Sequence, residues 1–236
     1  YEIGYEIGFT YTSYNLGNAM VHYGAYEEAV GSLKRGLALL RELGLKKSWW
    51  CMTLGALGYA LLCQGEDEQA QACFDEGIAL AQEIKMPISS WEHLNYLGYL
   101  RERQGDFVSA QAYYQEAFLV TQNERSYWAV QSQAGLAYMA VMLGQDPEPH
   151  LGAVLHYLAQ HPELGLTEQP GWVYLHLYLA LDSLGEARAT DILAQAYRFV
   201  QGVVAQIEDV VVRQSLLENV MEYREIMRLY EGGGAR

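Results

Sequence analysis

The 236-residue sequence is short of positive charge, of cysteine and of long apolar runs, and each shortage excludes something. Lys and Arg number 15 against 29 Asp and Glu, a net charge of -14. The cations are scattered, and the tightest pairs are Lys34-Arg35 and Lys46-Lys47. A nucleic-acid surface needs clustered cations to displace counterions from phosphates, so direct nucleic-acid binding is not expected. The same acidic field disfavours anionic membranes. No apolar run approaches the roughly 18–20 residues that span a bilayer, and no charged-then-apolar leader opens the sequence. No membrane partner is therefore expected. Three cysteines, Cys51, Cys63 and Cys73, form neither an even set nor a C-x2-C pair. That suits a reducing cytoplasm better than a disulfide framework or a zinc site.

Catalytic signatures are missing as well. There is no Gly-Lys pair, hence no G-x4-G-K-[S/T] loop to cradle nucleotide phosphates. His150, His156 and His161 sit close in sequence, but on a helix His156 points about 120° away from His150. His161 returns to that face roughly 16 Å along the axis. No single ion joins them. Acidic runs such as Glu66-Asp67-Glu68 fit solvated surface. The expectations are no catalytic residue, no metal, no cofactor and no enzymatic activity.

What is present is a repeat. Residues 57–78 read LGYALLCQGEDEQAQACFDEGI and residues 97–118 read LGYLRERQGDFVSAQAYYQEAF, identical at nine of 22 positions. Glycines end apolar helical stripes at Gly24, Gly65, Gly105, Gly144 and Gly185, at intervals of 41, 40, 39 and 41. Leu-Gly pairs precede the first three at Leu16-Gly17, Leu57-Gly58 and Leu97-Gly98, and the variant Leu136-Ala137 precedes the fourth. Alanines follow the first three, at Ala29, Ala70 and Ala110. Each unit reads as two helices with a glycine stop between them, because glycine accepts the left-handed conformation at a helix end. Small residues recur where helix axes must approach to about 8–10 Å. The fold expected is all-α, a solenoid of antiparallel helix pairs.

The pattern LG-x6-G-x4-A-x3-[F/Y]-x2-[A/G] resembles the tetratricopeptide repeat, well over Leu16 to Phe118 and more loosely beyond. The period here is about 40 rather than the common 34. This longer form resembles the C-terminal arrays of large bacterial ATP-dependent signalling regulators of the STAND class. Residues 206–227 resemble the closing helices of such arrays. The expected organisation is one domain over 1–231, with units near 5–44, 45–85, 86–123, 124–161 and 171–206. Closing helices follow at 207–231, then a flexible tail at 232–236. Glu2-Ile3-Gly4 matches triplets that end second helices, so residues 1–4 are expected to finish a helix of an earlier unit, in a chain cut from a longer array. Pro147 and Pro149 mark the start of one second helix, and Pro162 its early stop, before a loop from Pro162 to Gly171.

In a solenoid the first helices line the concave side. The residues just past each Leu-Gly pair are Asn18, Tyr59, Tyr99 and Tyr138. One turn later on that face stand His22, Cys63, Arg103 and Met142, and one turn earlier Tyr14 and Asn95. The resemblance places these ten in a partner-binding groove, with Tyr99 as central anchor. The alternative, that the tyrosines pack on neighbouring helices, stays open. The function expected is a non-catalytic interaction or sensor scaffold within a larger cytoplasmic regulator, binding a protein or peptide. A free-standing adaptor and a small-effector receptor are the alternatives, and self-association is left open.

Overall fold

The computed structural model describes residues 2–44, 48–123, 126–164 and 167–233. Twelve α-helices occur in order among them: α1 (Glu2–His22), α2 (Tyr26–Leu43), α3 (Ser48–Cys63), α4 (Asp67–Glu83), α5 (Trp91–Arg103), α6 (Phe107–Thr121), α7 (Ser126–Met142), α8 (Glu148–Gln160), α9 (Pro170–Ser183), α10 (Arg188–Ala205), α11 (Val210–Asn219) and α12 (Met221–Gly233). A 3-10 turn at Pro87–Ser90 leads into α5. No strand occurs among the described residues. No described helix is long and apolar enough to cross a membrane.

The five periodic glycines do the job that the spacing assigns to them. Gly24, Gly65, Gly105, Gly144 and Gly185 have φ of 74, 82, 77, 66 and 68°. The next amide then turns back on the helix: Glu66 N–H donates to the Leu61 carbonyl and Asp106 N–H to that of Arg101, both at 2.9 Å. This closes the carbonyls that a helix end leaves open.

The chain forms two compact units, residues 1–97 and 98–236, with the boundary inside α5. In the first, α1 packs on α2, α3 on α4, and α3 also on both α2 and α1. Adjacency of successive first helices, as of α1 and α3, is what makes an array of helix pairs. The Leu-Gly glycines set its distances. The Cβ that Gly17 lacks would meet Leu33, and that of Gly58 would meet the Phe74 ring. Each partner lies 16 residues on, and Gly98 stands in the same relation to Tyr114 in the second unit. Leu33, Phe74 and Tyr114 are all fully buried. In the second unit α7 packs on α6, α8 and α9, while α12 packs on α9, α10 and α11.

Two expectations at the ends change. α1 runs unbroken from Glu2, so residues 2–4 belong to the first helix and not to an earlier one. Nothing in Glu2 to Gly8 removes a helical hydrogen bond, since no proline is present and mid-helix glycine only weakens a helix by about 1 kcal/mol. α12 continues to Gly233, two residues into the expected tail; residues 234–236 lie outside the described residues. Pro147 and Pro149 do open α8, which stops at Gln160.

His93, on α5 within the first unit, is fully buried. The backbone carbonyls of Cys51 and Ser89 face it, and burial pulls its imidazole down to about 4. The native ring is thus neutral, while the unfolded chain binds a proton near the ordinary value of about 6.5. The sign follows: stability is complete above about pH 6.5 and falls with pH towards 4, as only the unfolded state takes up the proton. About 2 kcal/mol is expected to disappear between about pH 7.5 and pH 5. Urea midpoints across that window check this, and His93→Gln should flatten the slope; an unchanged slope in that variant assigns the effect elsewhere.

Candidate functional site

The second unit concentrates polar and aromatic side chains on its first helices. Tyr99, Glu102 and Arg103 come from the last two turns of α5, Tyr138 and Met142 from α7, and Trp172 and His176 from α9. Helical spacing explains the sets: Tyr99 and Glu102 stand three apart, Tyr138 and Met142 four apart, and Trp172 and His176 four apart.

Glu102 is the centre. Its carboxylate accepts a hydrogen bond from the Tyr114 hydroxyl at 2.9 Å. His176 Nε2 lies 3.0 Å from the same oxygen, with the His176 side chain 3% and Glu102 13% exposed. Rings wall this pair. Tyr138 stacks on His176 with centroids 5.8 Å apart, and Trp172 and Tyr114 meet it edge-on at 6.1 and 5.9 Å. Tyr99 lies against Trp172 at 4.1 Å, and its hydroxyl donates to Met221 Sδ at the start of α12. Burial, then the charge of Glu102, pushes the Tyr114 phenol well above its usual range, and that of Tyr138 in the same direction. Both phenols therefore stay protonated, and that of Tyr114 donates to Glu102.

By residue type, Glu102, His176 and Tyr114 suggest acid–base chemistry. By geometry they form a packed hub. The carboxylate is engaged by two neighbours, and the Tyr114 ring is fully buried. At the lip, Arg103 and Met142 are exposed and Tyr138 is half-buried.

Of the ten residues that the sequence singles out, Tyr99 and Tyr138 belong to this hub; Arg103 follows Glu102 on α5 and Met142 lies one turn beyond Tyr138 on α7, both exposed. In the first unit Tyr59 is 2% exposed, stacks on Tyr96 at 4.8 Å and meets Tyr26 edge-on at 6.5 Å. Asn95 is fully buried. Cys63 is half-buried on α3, Tyr14 and Asn18 are half-buried on α1, and His22 is exposed, 3.4 Å from the Asn18 amide. Glu102 and His176 were not expected. Glu102 hides in the surface-like run Arg101-Glu102-Arg103. His176 carried no signal either, since the interval of 41 from Gly144 to Gly185 sets Leu179, not His176, in register with Tyr138.

The other reactive residue types are spread out. His150 faces Phe118, His156 bonds Gln160 and His161 lies on Tyr157. Among the described residues no group of His, Cys, Asp and Glu is placed to hold a metal. Burial pushes the Cys51 and Cys73 thiols up to about 11, which makes both poor nucleophiles.

No family model and no curated protein matches the sequence. Several solved structures match the fold. A Rap protein complexed with competence and sporulation factor is 13% identical, with a TM-score of 0.66 over 98% of this chain and 66% of that one. The Rap conjugation gene regulator of plasmid pLS20, in complex with the Phr* peptide, is 14% identical, with a TM-score of 0.62 over 95% and 64%. A putative kinesin light chain from Podosopora anserina, with nearly identical TPR-like repeats, is 18% identical, with a TM-score of 0.56 over 81% and 95%. The chain thus spans just under two thirds of the two Rap proteins. At these identities the likeness concerns the fold, and the fold of this chain is a helical-repeat solenoid of the tetratricopeptide type.

Proposed function

We propose that this chain is a non-catalytic interaction scaffold that holds a protein or peptide partner against the first helices of its second unit. The observation that carries the reading is the lip around the Glu102–His176 hub. On the helices that build it, Arg103 and Met142 are exposed and Tyr138 is half-buried, and the hub beneath is walled by the rings of Tyr138, Trp172 and Tyr114. A guanidinium, a thioether and a tyrosine edge on an immobile base are the elements from which binding hot spots are built. The solved Rap structures named above hold competence and sporulation factor and the Phr* peptide, which supports the same use of the fold.

The reading extends to context. The chain acts in the cytoplasm as the sensor segment of a larger regulator of the STAND type, and a free-standing adaptor is the competing arrangement. A nucleotide-binding module upstream in the complete gene favours the first, and a gene that ends at the array favours the second.

A photo-crosslinking amino acid at Met142, with another at the exposed Leu119 of α6 as control, tests the surface. The expected result is one partner captured from position 142 and not from 119. Arg103→Glu should then weaken that partner about tenfold or more, the scale of a lost charged contact, with melting unchanged. Equal capture from both positions sinks the proposal.

A further inference from the structure

α8 has 13 residues, whereas the neighbouring second helix α10 has 18. The chain leaves α8 at Gln160 and crosses to α9 at Pro170. This crossing is pinned at two points. Leu164 is fully buried in the apolar core, and the Tyr174 hydroxyl donates to the Pro162 carbonyl at 2.6 Å. A cleft of about 610 Å³ lies between the last turns of α10, Tyr174 and the crossing. That volume falls in the range of about 300–1,000 Å³ usual for small-molecule sites.

The walls have a definite chemistry. The floor is apolar: Tyr174 and Phe199, with ring centroids 5.6 Å apart, and Val203. Arg198 of α10 brings a cation, close enough to act on the Tyr174 phenol. Glu163 of the crossing segment brings an anion. The C-terminal turn of α10, with Gln206 at its end, adds the partial negative charge of a helix terminus. Gly202 leaves the middle open, since a Cβ there would meet nothing within 4 Å. Cation and anion stand on different elements with an apolar floor between them, which suits a molecule carrying both charges on an apolar body. Along α10 the eight steps from Arg198 to Gln206 cover about 12 Å. An extended tripeptide covers about 10 Å.

We infer that this cleft binds a free apolar peptide of about three residues, its carboxylate on Arg198, its ammonium towards Glu163 and the α10 terminus, and its side chains on Phe199 and Val203. It is a second site, separate from the lip at Arg103 and Met142, and uses none of its residues. Failure of one proposal therefore leaves the other standing.

The test titrates the 236-residue protein with alanyl-leucyl-phenylalanine by calorimetry, with amide shifts of Phe199 and Gly202 followed by NMR. Binding at millimolar affinity or tighter is expected, with shifts confined to α9, α10 and the crossing. Acetylation of the ammonium and amidation of the carboxylate should each weaken it about tenfold or more, as should Arg198→Met, because each removes a charged hydrogen bond. Free leucine carries both charges but spans too little, and should bind more weakly than the tripeptide. Gly202→Leu should abolish binding while melting no lower than the wild type, since leucine favours a helix over glycine. No binding by the folded wild type, equal binding of the doubly capped peptide, or full affinity in Gly202→Leu overturns the inference.

Discussion

Glu102→Ala is expected to cost about 3–5 kcal/mol and to unfold the second unit at lower urea than any surface change. The side chain is mostly buried and takes hydrogen bonds from two groups with nowhere else to turn. Removing it leaves the Tyr114 hydroxyl and His176 Nε2 facing apolar rings, and a buried donor without a partner costs its full desolvation. A cavity adds to the loss. Two companions separate these contributions. Glu102→Gln keeps the volume and one acceptor and should lose less than half as much. Tyr114→Phe removes one donor together with its need, and should lose only about 0.5–1.5 kcal/mol. If Glu102→Ala loses less than about 1 kcal/mol in urea titration, the hub is solvated and the packing described for it is wrong.

The second large effect belongs to the first unit. Gly77→Ala should destabilise by about 2–4 kcal/mol, although alanine in place of glycine normally strengthens a helix by about 1. A Cβ at Gly77 would overlap the His93 imidazole, and that ring is fully buried and cannot swing into solvent. Gly31→Ala provides the contrast. It lies on α2, where an added Cβ meets only the mobile end of Arg35 at 3.6 Å, so a small gain is expected. A double change, Gly77→Ala with His93→Ser, should recover part of the loss, because the clash needs both partners. Additive losses in that cycle would mean that Gly77 and His93 do not touch.

Much of this fold can be read along the chain. The Leu-Gly glycines at 17, 58 and 98 precede Leu33, Phe74 and Tyr114 at one constant offset, and each glycine makes room for that side chain. The five turn glycines adopt the left-handed conformation that their place after an apolar stripe implies. Such features are legible because they are local: a helix stop is decided by one residue's φ, and helix spacing within a pair by residues about two turns from a short turn.

The functional surface was less legible. The tyrosine row was visible, but whether its members face a partner or the neighbouring helix is decided by how successive pairs pack. Tyr59 and Tyr99 are spent on ring contacts with Tyr96 and Trp172, while Tyr138 keeps an exposed edge. Periodicity treats all three alike because it records one helix at a time. Glu102 shows the same limit from the polar side. Between two arginines it reads as surface, and only the arrival of His176, 74 residues later, makes it a buried acceptor.

By itself, then, the sequence determined the helical class, the period, the turn positions and the small residues at close contacts, since each depends on interactions within a few turns of chain. The tertiary structure alone decided which first-helix residues stay exposed, that Glu102, Tyr114 and His176 meet, and that a cleft lies between α10, Tyr174 and the crossing to α9. Those outcomes depend on side chains up to some 70 residues apart sharing one small volume, and burial at that range is set by the summed packing of several helices, not by any one of them.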